Sequence, residues 1–139
     1  MIEPQFIQIT DDQISRTWPK IERFFKRACD RVPTHLTPEL ILHRAETKQC
    51  DLWVIYDENE PLPLLGAAAT CLRDEPEGTV LTIESIGGEK IIEWKHLFPR
   101  FEKLAKDHGV AMIEIEGRPG WQRFLKDYEL RRVVVGKRL

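Results

Sequence analysis

Apolar and polar residues follow two rhythms along this chain. Phe6, Ile7 and Ile9 mark a short opening strand. Ile14, Trp18, Ile21, Phe25, Ala28 and Val32 then recur every three or four residues, the stripe of an amphipathic helix. Asp11 or Asp12 can cap that helix, and Pro19 either starts it or kinks it. Thr37-Pro38-Glu39 supplies a cap hydroxyl, a proline suited to the first helical position and an acid for the first turn. A second helix is therefore predicted from Leu40 to about Thr47. The rhythm then shortens. Residues 51–56, 64–72 and 79–86 are three β runs separated by polar turns, which predicts an antiparallel meander. Gly87-Gly88 ends the third run. A helix follows with Ile91, Trp94, Phe98, Phe101, Ala105 and His108, and closes at Gly109. Pro99 kinks it or marks its true start. His108 is placed to complement its C-terminal end.

The C-terminal stretch repeats both rhythms in miniature. Ala111, Ile113 and Ile115 alternate as in a strand, and Gly117, Pro119 and Gly120 punctuate. Trp121, Phe124, Leu125 and Tyr128 fall at helical spacing. The β-branched run 132–136 reads as a last strand. The predicted order is β-α-α-β-β-β-α-β-α-β in one domain, 1–139, with no repeats, low-complexity tracts or linkers.

That order resembles the GNAT (N-acetyltransferase) superfamily over nearly the whole chain. The likeness is sharpest at Arg123-Phe124-Leu125-Lys126-Asp127-Tyr128-Glu129-Leu130-Arg131, in register with the Arg-Phe-Tyr-Glu-Lys-Leu-Gly-Phe-Arg ending of many members. The run Glu114-Ile115-Glu116-Gly117-Arg118-Pro119-Gly120-Trp121 is also similar to small GNAT-like proteins of tailed phages and prophages. The resemblance implies an α+β, three-layer fold: a mixed, mostly antiparallel sheet with a splayed parallel pair and helices on both faces. It implies acetyl-coenzyme A as cofactor, its pantetheine arm in the splay and its pyrophosphate on the loop before the third helix. The family signature there is [Arg/Gln]-x-x-Gly-x-[Gly/Ala]. This chain offers Ser85, Ile86, Gly87, Gly88, Glu89 and Lys90: two glycines, no arginine or glutamine, and an anion near the expected phosphate. The adjacent glycines serve equally as a simple strand-to-helix turn.

The implied chemistry is direct attack of an amine, from a small molecule or a protein, on the thioester. Glu84 is the expected base, on a strand face shared with Val80, Thr82 and Ile86, where an apolar setting would raise its pKa. Leu125 occupies the position of the family's acid tyrosine; Tyr128, one turn on, is its stand-in or a core residue. His35, between the first two helices, is an expected acceptor contact. Glu114 and Glu116 share a strand face, where they act as bases, bind a basic acceptor or point to solvent. The departures from the signature leave an alternative: a catalytically silent GNAT-fold protein that binds or assembles, in virion morphogenesis or host takeover if the phage likeness holds.

Composition narrows the partners. The 139 residues carry a net charge of −2, so no global field draws nucleic acid or an anionic membrane. No apolar run reaches the roughly 18 residues of a membrane span, and no secretory leader is visible, so the expected location is cytoplasmic (host cytoplasm or virion for a phage protein). Cys29, Cys50 and Cys71 are odd in number and widely spaced, as free thiols. The four histidines lack metal-ligand spacing. A protein partner or a homodimer is compatible with this composition. An exposed apolar patch that includes Trp94 or Trp121 would mark a protein partner.

Overall fold

The computed structural model describes residues 4–31, 35–90, 94, 96–117 and 120–139. Five strands form one sheet in the order β1 (Gln5–Gln8), β2 (Asp51–Tyr56), β3 (Leu64–Glu75), β4 (Gly78–Gly88), β5 (Val110–Ile115). The first four pair antiparallel, and β4 pairs with β5 in parallel. The α+β class, the meander and the parallel pair follow the expected plan.

Helices cover both faces. A turn of 3₁₀ helix, Asp11–Gln13, leads into α1 (Ile14–Arg31), and α2 (Pro38–Glu46) lies beside it. Pro19 sits inside α1, which runs through it without a break. Thr37 caps α2 as the sequence suggests, its hydroxyl accepting the Leu40 N–H at 3.1 Å. Ile14, Trp18, Ile21, Phe24 and Phe25 of α1 meet Leu52, Val54, Ala67 and Ala69 of the sheet in one core. The small alanines in β3 let the helix approach closely. On the other face, α3 (Leu97–Asp107) packs Leu97, Phe98 and Phe101 against Trp53, Ile55, Ala68, Leu81 and Ile83. Trp53 and Phe101 meet edge-on, with centroids 5.1 Å apart.

Two predicted elements differ. The third helix begins at Leu97, and Pro99 falls in its first turn, where a missing N–H costs nothing. Trp94 lies before it, fully buried, and Ile91 lies outside the described residues. The final strand at 132–136 is absent. After α4 (Gly120–Phe124) the chain runs to Leu139 without joining the sheet, and Val133, Val134 and Val135 stand 72%, 90% and 90% exposed. A β-branched run has strand propensity, but a strand exists only when an edge pairs with it. His108 does complement its helix: its Nδ1 lies 2.8 Å from the Leu104 carbonyl. Val32 and Pro119 fall outside the described residues.

Candidate functional site

The site begins with a register slip. Ala69 pairs with Ser85 and Thr70 with Ile83, so Glu84 faces no residue of β3 and forms a β-bulge. A bulge re-aims the side chains that follow it. Leu81, Ile83 and Ile86 point into the α3 core, whereas Glu84 reaches α2. Ile86 therefore does not share Glu84's face, contrary to the alternation read from sequence.

Glu84 meets Arg44 of α2 in a two-pronged ion pair. Nη2 donates to Oε1 at 2.8 Å, and Nη1 donates to Oε2. The side chains are 19% and 9% exposed, so the pair is largely removed from water. Burial pushes the Glu84 carboxyl up, but hydrogen bonds from Arg44 and the Cys71 thiol, with the charges of Arg44 and His35, hold it below the usual carboxylate range. The shift is thus the reverse of the expected one, because an arginine, not an apolar side chain, sits against the carboxylate. Cys71 pays for the proximity: burial and the carboxylate push its thiol up to about 12.

Beside this pair, β4 and β5 part. Their pairing ends at Ile83 and Ile115, and the Glu116 N–H makes a last bond to the Ile83 carbonyl at 3.0 Å. Beyond it, residues 85–88 pair only with β3, and no described strand occupies their other edge. The gap opens into a groove of about 1540 Å³. His35, Glu84, Glu114, Glu116 and Tyr128, named in the sequence as site residues, all line it, together with Ser85, Ile86, Gly87 and Gly88.

The backbone edge at 85–88 suits an extended, amide-bearing ligand such as a pantetheine arm. Gly87 and Gly88 belong to β4, opposite Ala67 and Gly66, rather than to a loop. Their lack of a side chain has a packing cause. A Cβ on Gly87 would sit 2.5 Å from the Phe24 carbonyl oxygen, and one on Gly88 2.3 Å from that of Leu65. The Glu89 N–H donates to Leu65 at 2.7 Å, Glu89 lies 3.7 Å from Arg27, and Lys90 pairs with Glu60 at 2.6 Å. Glu89 and Lys90 are not among the groove's lining residues. The third helix starts nine positions after Gly88, so its positive end lies well along the chain from these glycines.

Tyr128 borders the groove, but its hydroxyl donates to Glu102 at 2.6 Å, and burial with that carboxylate raises its pKa far above the ordinary value. Glu114 does not face solvent. It is buried on β5 and accepts from Thr82 at 2.9 Å, Arg131 at 2.6 Å, Arg132 at 2.8 Å and Arg73. Burial raises its pKa, and those donors more than reverse the shift. Glu116, two residues on, is exposed. Arg44, Arg73, Arg131 and Arg132 were invisible as partners from sequence, because Arg44–Glu84 and Arg73–Glu114 span forty and forty-one positions. Trp94 is buried, and Trp121 is half-buried against Phe98 and Phe124, so neither supplies the exposed patch that would mark a protein partner.

No protein-family model matches the chain, and no curated protein matches it by sequence. Solved structures do share its fold. One is a GNAT family acetyltransferase from Staphylococcus aureus (TM-score 0.62, 12% identity, 99% of this chain and 100% of that one). Another is an aminoglycoside acetyltransferase from an uncultured soil metagenomic sample, in complex with sisomicin (0.65, 11%, 98% and 96%). A third is a ribosomal-protein-alanine N-acetyltransferase from Brucella melitensis (0.64, 11%, 98% and 99%). The fold is that of GNAT acetyltransferases. No helix among the described residues is long and apolar enough to cross a membrane.

Proposed function

We propose that this chain is an acetyl-coenzyme A-dependent N-acyltransferase acting on an amine acceptor. The observation that carries the reading is the parting of β4 from β5 after Ile83 and Ile115, beside a bulged Glu84. It leaves a strand edge free for an extended thioester-bearing arm, and the neighbours of this fold are acetyltransferases. Acetyl-coenzyme A would supply the acetyl group as a thioester. Residues 85–88 would hold the arm through backbone bonds and aim N–H groups at the carbonyl oxygen. The acceptor would enter past His35 and Glu116. Its nitrogen would form the new N–C bond as the C–S bond breaks, the electron pair going to the coenzyme thiolate and one amine proton passing through water to that thiolate or to bulk solvent.

The proton inventory shapes the rest. Glu84 is ionised at neutral pH, but both oxygens are engaged by Arg44, so it accepts a proton only when that pair loosens. Its first role in this reading is to hold Arg44, and with it α2, against the sheet beside the groove. The Tyr128 hydroxyl donates its hydrogen bond to Glu102 and is a weak acid. A thiolate with a pKa near ~8.5 leaves without much help. We therefore expect Tyr128→Phe to keep kcat within about threefold, where loss of a true general acid costs about 10²-fold or more.

Those two engaged side chains also favour a second reading, a GNAT-fold binding or assembly protein without transfer. Calorimetric titration with acetyl-coenzyme A and with coenzyme A separates the two. Saturable micromolar binding supports the transferase, and an amine screen by thiol release then names the acceptor class. No heat at millimolar ligand overturns it.

A further inference from the structure

Charge is unevenly spread over this chain. The whole sequence carries −2, yet α1 holds six basic and two acidic side chains. Five of the six, Arg16, Lys20, Arg23, Arg27 and Arg31, recur at steps of four, three, four and four residues, which is a single line along a helix. At a rise of ~1.5 Å per residue the line is about 22 Å long. All five are exposed, whereas Ile14, Trp18, Ile21, Phe24 and Phe25 of the same helix are buried. Arg27 lies 3.7 Å from Glu89, with both side chains near half exposed. Arg16 reaches Asp12 only through its longer-range field, and Lys20, Arg23 and Arg31 make no ion pair with a described residue. Arg23 instead lies over the Phe24 ring, 4.3 Å from its centroid. Like charges three and four positions apart on a helix repel one another, so an anionic occupant stabilises such a line.

The surroundings choose among anionic occupants. Lys20 and Arg23 also line a second cavity, of about 530 Å³, together with Ile7, Val54, Leu62 and Leu64. Leu62 is 72% exposed and Ile7 40%, so this wall is apolar and open. A basic amphipathic helix can lie on an anionic bilayer, but its apolar face must then enter the lipid, and in α1 that face is the protein core. Single-stranded nucleic acid stacks its bases on aromatic side chains, and no described aromatic side chain is exposed. An extended peptide sets alternate side chains on one side about 6.6 Å apart, close to the ~6 Å of a four-residue helical step. Carboxylates along such a segment reach successive cations of the line, and an apolar side chain among them reaches the cavity.

We propose that α1 and the adjoining cavity dock an acidic, extended segment of a partner protein, one that carries leucine-like side chains among its carboxylates. The far end of the line opens on the large groove, which Arg27 and Arg31 help to form. A partner held along α1 is thereby brought to the groove mouth. Docking needs only charge and the apolar wall, so it stands independently of the acyltransferase reading.

The test is fluorescence anisotropy of the full chain with a fluorescein-labelled peptide, four repeats of Glu-Glu-Leu, at about 50 mM salt. The expected dissociation constant is about 10–100 μM, weakened about tenfold at roughly 300 mM salt. The double variant Arg16→Gln/Lys20→Gln should also weaken it about tenfold. The matched control Lys26→Gln/Lys137→Gln removes as much charge away from the line and should stay within about twofold. All four side chains are exposed, so circular dichroism should not change. Four repeats of Glu-Glu-Ser should bind about threefold more weakly than the leucine peptide. No binding at about 1 mM peptide overturns the proposal, as does an equal loss in both double variants or equal affinity for the two peptides. Tighter binding of a short oligothymidylate, or of vesicles of phosphatidylserine and phosphatidylcholine, would assign the line to nucleic acid or membrane and also overturn it. Acetyl-coenzyme A is left out throughout, so these outcomes bear on docking alone.

Discussion

Arg44→Met isolates the ion pair behind the groove. Methionine keeps much of the arginine stem's packing and removes the charge. Glu84, 9% exposed, is then buried without its counter-ion. Removing one partner of a fully buried pair costs about 3–5 kcal/mol. Arg44 itself is about one-fifth exposed, so water partly compensates, and about 2–3 kcal/mol at pH 7 is the expected loss. For a domain of this size that lowers Tm by about 6–15 °C. The pH dependence is more diagnostic. In the native protein the Glu84 pKa lies below its unfolded value, so its contribution is full above the unfolded pKa and is lost as pH falls through the folded one. In Arg44→Met, burial acts without the opposing guanidinium and the pKa rises above the unfolded value. The penalty is then full at pH 7 and relieved as pH falls through the raised pKa. Chemical denaturation of both proteins at pH 7 and pH 4.5 should show the gap shrink. A gap under about 0.5 kcal/mol at pH 7, or one that is equal at both pH values, would refute the reasoning.

Glu114→Gln should free the C-terminal arm, and trypsin should then cut after Arg131 and Arg132 at least tenfold faster; Glu116→Gln, on an exposed side chain, should change nothing. The native clamp should hold at neutral pH and release only as pH falls through Glu114's lowered pKa, visible as the same cleavage with an acid-tolerant protease. Gly87→Ala places a Cβ 2.5 Å from the Phe24 carbonyl oxygen and should cost about 3 kcal/mol in denaturant unfolding, whereas Gly120→Ala, with nothing within 4 Å, should cost nothing.

Much of the fold was legible because local rules acted alone. Thr37-Pro38-Glu39 starts a helix wherever it is placed, and the α1 stripe and the meander needed only period and turn chemistry. Pro99 left two options open, and the structure took the helix start, which the proline ring permits without a lost bond. The site was legible as a neighbourhood: His35, Glu84, Glu114, Glu116 and Tyr128 do converge on one groove. Their states are not written in local patterns: Glu114 is buried under arginines, and Gly87-Gly88 is strand backbone pressed against Phe24 and Leu65.

The sequence by itself determined the order of elements from β1 through α4, since helix and strand periods are local properties of the chain; the residues near the groove followed from the family resemblance. Only the tertiary structure decided what those residues can do. One unpaired residue at Glu84 shifts the faces of β4 without any trace in composition. Arg44 reaches Glu84 across forty positions, and three arginines reach Glu114, so charge and proton affinity are set by long-range neighbours. The last β-branched run shows the same division: its propensity is written in residues 132–136, but strand formation needs a second backbone edge brought alongside, which is a matter of tertiary arrangement.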